Sequence, residues 1–449
     1  MTLTLAEIAQ FTGSPSPARG QSIHISNWSI DTRTLTPGAL YVALRGENHD
    51  GHSFLAAAAE RGATAALVDN RDWPETGAMR LLRVADTLVA LQSLARHARQ
   101  RLHFPLIAIT GSAGKTTTKE TIATLLSAML RVTRNEGNLN NHIGLPLSLL
   151  RMDELAQAGV LEMGMNHAGE ISALCAIAQP DMGVVTNVGT AHIENFASID
   201  GIALAKRELI ESLGSDGTAV LNFDDVRVRA FAAVHPGHTI TYGTGEGADI
   251  RAEAVELTAA GSRFCIDSVP FQISLPGRHG VMNVTAGVAA GSALGIPLEV
   301  MAGAASTLRS GRMRGELLQH KGVTILNDCY NSNPEAAKAM LDTLAEMPGT
   351  RRIAVLGEML ELGAQAEPLH RETGAYAAAR GIDVVLAIRG AAIHLADAAR
   401  AGGVESHFFD APAAAGDALG AIARPGDAVL CKGSRGTRVE IALERFMAE

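Results

Sequence analysis

Residues 107–120 read IAITGSAGKTTTKE: an apolar run, a glycine turn, a lysine and three threonines. A turn of this kind, opening a helix, can surround phosphate oxygens with main-chain N–H groups, and a helix start carries about half a positive charge. Gly111, Ser112, Ala113 and Gly114 would form the cradle, and Lys115 would reach the outer phosphates. Thr116, with Thr117 beside it, would bring a hydroxyl to Mg²⁺. The usual first glycine of such a loop falls at Ile109, so this turn is more compact than the common pattern. The competing reading is an ordinary strand–turn–helix with an exposed lysine.

Two further segments end apolar runs on groups that handle cations. Glu162 closes the run in VLEMGMNHAGEI, and His192 follows VVTNVGTA. In open α/β sheets, ligand-handling residues gather at the carboxyl ends of strands. Taken singly, Glu162 reads equally well as a solvated loop residue, and His192 reads more readily as a structural or exposed one than as a ligand. Together with Thr116 they supply a carboxylate, an imidazole and a hydroxyl, a set suited to one or two Mg²⁺ on a triphosphate. Lys206, in AKRE, lies on a predicted helix and by itself is one of many surface lysines. The amides of Asn140 and Asn141, in GNLNN, either read carboxylates and carbonyls or cap the helix that follows.

The elements that must position these groups alternate along the chain. Strand Ala39 to Leu44, helix Phe54 to Arg61, strand Thr64 to Val68 and the amphipathic helix Thr87 to Arg101 make a first unit. His103-Phe104-Pro105 marks a boundary, because the residue before proline disfavours helix. Strands Val160 to Met163, Met182 to Asn187 and Ala219 to Asn222 then imply a mostly parallel sheet, with antiparallel hairpins expected from Tyr242 to Leu275. From Gly311 the alternation is regular, with strands at 323–327, 352–356, 383–388, 406–409 and 428–432. Helices at 334–346, 370–379, 391–401, 413–422 and 438–447 complete it. This is a doubly wound α/β pattern without the GxGxxG of a dinucleotide site. The fold class is therefore α/β in three domains: residues 1–104, a central phosphate-loop domain at 105–310 with a mostly parallel sheet, and a Rossmann-like domain at 311–449.

Composition narrows the function classes. The chain has 449 residues and a net charge of −9, with lysines and arginines scattered, which argues against nucleic-acid binding. Its four cysteines show neither metal-ligand nor disulfide spacing, which fits a reducing compartment. No stretch is long and apolar enough for a membrane span. A cytoplasmic protein without membrane insertion is expected, and a monomer, since nothing suggests a coiled coil or a large apolar patch.

The ordered set TGSAGKTT, GNLNNHIGLP, LEMG, TNVGTAHIENF and AKRE resembles the Mur ligase family of peptidoglycan biosynthesis. Within it, NDCYNSNP at 327–334 and LGEMLELG at 356–363 are similar to the members that add D-alanyl-D-alanine. Members adding the third stem residue would show Asp-Asn-Pro-Arg, which is absent. The resemblance implies an ATP- and Mg²⁺-dependent ligase that joins D-alanyl-D-alanine to UDP-N-acetylmuramoyl-tripeptide through an acyl phosphate. It also implies a carbamylated Lys206 that joins Thr116, Glu162 and His192 as metal ligands. Asn283, Arg312 and Asp328 would contact ATP, although Gly280 stands where the family commonly has an asparagine after His279. Ser29, Asp31 and Arg33 would meet the UDP-sugar. Asn140 and Asn141 would also face substrate, and Asn331, Lys432 and Ser434 the incoming dipeptide. Against this stands a phosphate-loop switch protein, which needs no UDP-sugar domain.

Overall fold

The computed structural model describes residues 1–16, 20–74, 76–258 and 261–448. Three mainly parallel sheets follow one another along the chain. The first joins Trp28–Ser29, Leu40–Val42, Ala65–Asp69 and Arg80–Val84 in that order. The central sheet has seven parallel strands. Their order is Ile250–Arg251, His238–Gly243, Thr218–Asn222, Met182–Val185, Leu106–Thr110, Ala158–Glu162 and Val132–Arg134. The last sheet has six strands, parallel except for the edge strand Glu316–His320, which runs antiparallel to Val323–Asp328.

The central topology makes the site. From Leu106–Thr110 the chain runs out to the edge strand Val132–Arg134 and returns through Ala158–Glu162. It then crosses to Met182–Val185 on the other side of its starting strand. Connections therefore leave two neighbouring strands in opposite directions, opening a crevice beyond their carboxyl ends. The inner strands Leu106–Thr110, Ala158–Glu162 and Met182–Val185 are buried and largely apolar because both their faces are covered. Ile107 and Ile109 enter one core, while Leu106 and Ala108 enter another.

Helix Thr87–Gln100 ties the first sheet to the second. Asp86 caps it by accepting from the N–H groups of Leu88 and Val89. Leu91, Leu94, Ala95 and Ala98 form its apolar stripe, which packs against helices Gly144–Arg151 and Glu170–Ala178. At its end the buried Arg99 donates to the carbonyls of Ala178 at 2.8 Å and Gln179 at 3.2 Å, and pairs with Asp181 at 2.8 Å. It thereby satisfies carbonyls that a helix terminus leaves open. One apolar core consequently runs from Leu3 to Phe231. Sheet membership changes near Pro105, while the core continues through it.

Some element limits differ from those expected. The Tyr242 to Leu275 region is only partly hairpin: His238–Gly243 and Ile250–Arg251 extend the central sheet in parallel. Antiparallel pairing is confined to Glu253–Thr258, Gly261–Ile266 and Val269–Ile273. An edge strand covered on one side alternates in the same way as a hairpin arm, which is why the two read alike. The helix expected at Phe54 to Arg61 is a 3₁₀ turn, Gly51–Phe54, followed by Leu55–Glu60. The closing helix starts at Glu440 rather than Arg438, whose backbone is left-handed (φ 57).

Candidate active site

The phosphate loop stands at the crevice. Gly111 has φ +150, and a Cβ there would collide with the Thr186 hydroxyl. Gly114, at φ +80, precedes helix Lys115–Leu126, and no side chain caps that helix. The Ser112 N–H bonds the Asn187 carbonyl at 3.0 Å, and the Ala113 N–H the Asn187 side-chain oxygen at 2.8 Å. With these two amides fixing the loop, the open N–H groups of the helix start remain for an anion. Lys115 Nζ donates to the Gly111 carbonyl at 2.7 Å. Burial pushes its pKa below the ordinary lysine value, Glu162 draws it back and Arg314 adds to the fall.

Glu162, at the end of its strand, is buried within a polar network. Its carboxylate accepts from the Thr116 hydroxyl at 2.7 Å and from the Asn140 amide at 2.7 Å. Its N–H donates to the Asn135 side chain at 2.9 Å. The buried Lys119 holds the Asn135 carbonyl at 2.8 Å. Within the protein Asn140 and Asn141 of the GNLNN loop act differently. Asn140 reads a carboxylate, that of Glu162, whereas Asn141 accepts from Ile143 N–H at 3.2 Å and Gly144 N–H at 2.8 Å to start the next helix.

His192 takes a left-handed backbone (φ 65), and its Nδ1 lies 2.6 Å from a Glu361 carboxylate oxygen, out of line with the ring N–H. The contact with His192 holds the Glu361 pKa below the ordinary carboxylate value. Lys206 is only 2% exposed and has no hydrogen bond or ion pair among the described residues. Burial, with the nearby Lys115 charge second, places its pKa well below the ordinary lysine value. Such surroundings draw the amine toward its neutral form, the form that adds carbon dioxide. The donors suit Mg²⁺, which takes one or two protein oxygens and completes its shell with water and phosphate. Among the described residues no group of three or more His, Cys, Asp or Glu forms a metal cage.

A cavity of about 960 Å³ brings most of these groups together. The loop residues Ser112 to Thr117, Glu162, His192, Asn140, Asn141 and Asn283 line it from the central unit. Asp328, Asn331 and Lys432 line it from the last unit. Asn283 accepts from Thr118 at 3.1 Å, against Gly114. Asp328 and Lys432 end neighbouring parallel strands in register and pair at 2.5 Å, and Lys432 also donates to the Asn331 carbonyl at 2.9 Å.

Other expected residues lie elsewhere. Arg312 is exposed and off the cavity wall; Arg314 lines it instead, its guanidinium 3.8 Å from the Tyr330 ring centre. Ser434 is a buried tie, donating to the Ser332 carbonyl at 3.2 Å and accepting from Leu360 N–H at 3.0 Å. Ser29, Asp31 and Arg33 belong to the first unit and do not line this cavity. Asp31 and Arg33 pair at 2.6 Å, and the arginine lowers the Asp31 pKa.

Sequence reasoning passes over Asn187, Arg314, Glu335 and Glu361. Only Asn187, a polar residue just past a strand end, carried a readable signal. The last unit is docked on the loop: Asn333 donates to the Ser112 carbonyl at 3.3 Å, and Glu335 accepts from Thr190 N–H at 2.9 Å.

A phosphate loop set between two α/β units, with Lys115, Lys432 and the buried Glu162 on one cavity, defines an enzyme that works on ATP. Three family models match the chain: "Mur ligase family, catalytic domain" at 24–99, "Mur ligase middle domain" at 109–291 and "Mur ligase, glutamate ligase domain" at 311–435. The UDP-N-acetylmuramoyl-tripeptide–D-alanyl-D-alanine ligase of Bacillus subtilis is 39% identical, covering 92% of this chain and 91% of the relative. The MurF crystal structure from Acinetobacter baumannii superposes with a TM-score of 0.91 at 29% identity, over 100% of this chain and 99% of that one. MurF from Thermotoga maritima, in complex with ADP, gives 0.84 at 29%, over 94% and 97%. The chain belongs to the Mur ligase family, whose reaction is ATP-dependent ligation in peptidoglycan synthesis.

Proposed function

We propose that this chain joins D-alanyl-D-alanine to UDP-N-acetylmuramoyl-tripeptide, with ATP cleaved to ADP and phosphate. The similarity to ligases of that name over nine-tenths of both chains carries the reading. The tripeptide carboxylate attacks the γ-phosphorus and ADP leaves. The dipeptide amine then attacks the acyl carbon, phosphate departs and the nitrogen loses its proton. Two anions must meet in the first step. The helix N-terminus and Lys115 offset their repulsion, and ligands that displace water from the cavity would strengthen both effects. The Lys432–Asp328 pair would form part of the wall from which the dipeptide approaches. Mg²⁺ would offset phosphate charge, one ion held by Thr116 and Glu162 and a second by His192 and carbamylated Lys206.

Three units at 1–104, 105–310 and 311–449 suit three ligands: UDP-sugar near Ser29, Asp31 and Arg33, ATP on the second, amine on the third. Asn283 and Asp328 would border the nucleotide, with Arg314 in the place expected of Arg312. A cytoplasmic monomer fits this role, and no helix among the described residues is long and apolar enough to cross a membrane.

The test is phosphate release from ATP with UDP-muramoyl-tripeptide present, adding D-alanyl-D-alanine or single amino acids in turn. Release with a pentapeptide product is expected only with the dipeptide. Turnover with a single amino acid would transfer the chain to a neighbouring ligase activity, and release indifferent to both co-substrates would sink the proposal.

A further inference from the structure

His192 is held from the side of the last unit. Residues 189–194 follow the central strand Met182–Val185, yet many of their partners lie beyond residue 311. The Glu335 carboxylate accepts from the Thr190 N–H at 2.9 Å and from its hydroxyl at 3.1 Å. Gly189 sits so close that a Cβ there would lie 2.6 Å from the Glu335 carboxyl carbon. Ile193 packs on Ala337, Met359 and Leu362, and the Glu194 N–H donates to the Glu361 carbonyl at 3.4 Å. At the centre, Glu361 Oε2 stands 2.6 Å from His192 Nδ1 but out of line with the ring N–H, so a turn of the ring or of the carboxylate completes the bond. Glu361 does not line the cavity, whereas His192 does. Both have left-handed backbones, φ 65 at His192 and φ 64 at Glu361. Residues other than glycine keep that conformation where their surroundings fix it, and such residues gather at functional sites.

A histidine that holds a metal commonly gives its second ring N–H to a carboxylate, which sets the tautomer and the direction of the ring. We propose that Glu361 is the positioning carboxylate of His192, so that the imidazole is aimed at the triphosphate only while the last unit is docked. The inference rests on the reading of His192 as a cation ligand. It couples the unit that brings the amine to the completeness of the ATP site. An acyl phosphate would then form mainly when its acceptor wall is in place, rather than in an open cleft where water consumes it.

The test uses the full-length chain saturated with the β,γ-methylene analogue of ATP and titrated with Mn²⁺, the free ion being followed by EPR. Glu361→Ala is expected to raise the half-saturating Mn²⁺ concentration about ten- to a hundredfold. Glu361→Gln, which keeps an acceptor without charge, should lose less. The double variant with His192→Ala should bind no more weakly than His192→Ala alone, because the two act through one ligand. Wild-type titration by Glu361→Ala, or full multiplication of the two losses, would overturn the inference. Should His192→Ala itself titrate like wild type, the cation reading of His192 falls and this inference with it. A loss in His192→Ala alone overturns only the role of Glu361. The Glu361 side chain is 52% exposed, so both variants should melt as the wild type does. Were Glu361→Ala to melt early, Glu361→Gln decides: a raised value supports the role and an unchanged one overturns it.

Discussion

Lys206 shows what the letters of a sequence conceal. Its neighbours in the chain make it a helix-surface lysine; its surroundings make it a buried amine with no counter-charge. Lys206→Ala should cost about a hundredfold or more in kcat, with partial recovery on adding short-chain carboxylic acids, which return an oxygen donor. Undiminished turnover without any additive would remove the carbamate role. Lys115, Thr116 and Glu162 were legible because each ends or follows an apolar strand, where chemistry collects. Glu361 and Lys206 were not, because burial and contact across units give them their meaning. Arg312 and Arg314 differ for a local reason. Met313 between them takes a left-handed turn (φ 59), and Arg314 is the one that lines the cavity.

Among the elements, helix Ala366–Ala379 carries a pH-sensitive pin. His370 is fully buried; its Nδ1 donates to the Ala366 carbonyl at 2.6 Å, and its Nε2 accepts from Met359 N–H at 2.9 Å. That arrangement requires the neutral ring, and burial holds its pKa below the ordinary 6.5. The unfolded chain therefore takes up the proton first on acidification, so stability falls as pH drops below 6.5 towards the folded value. Urea unfolding at about pH 7.5 and about pH 5.5 should show this slope, and His370→Phe should lack it. The variant should also be about 1–3 kcal/mol less stable at the higher pH, from the orphaned Met359 N–H. A slope unchanged by the substitution would move the effect to another group. The inner strands of the last sheet were readable, because strands covered on both faces are largely unbroken apolar runs, whereas its antiparallel edge strand Glu316–His320 was missed. Edge strands such as Arg80–Val84 and Val132–Arg134 carry arginine and threonine toward solvent and offer no such run.

Across the whole molecule, docking of the last unit depends on few polar contacts, and Glu335 makes two of them. Glu335→Ala should lower kcat/KM for the dipeptide about tenfold and enlarge the radius of gyration with nucleotide bound, since two half-buried hydrogen bonds to a carboxylate contribute about 1–3 kcal/mol. ADP affinity should stay near that of the wild type. Unchanged scattering together with unchanged turnover would remove Glu335 from docking. The first two sheets behave otherwise, since a single apolar core joins them through helix Thr87–Gln100 and the buried Arg99. Calorimetry should accordingly resolve two heat-absorption peaks: one for residues up to about 310 melting together, and one for the last unit with its own cores. Three separate peaks would contradict the shared core. A chain begun after residue 104 would leave the flanks of Gly144–Arg151 and Glu170–Ala178 bare to water and should clump rather than fold. The last unit thus holds its shape on cores of its own, whereas the first two sheets hold theirs only together.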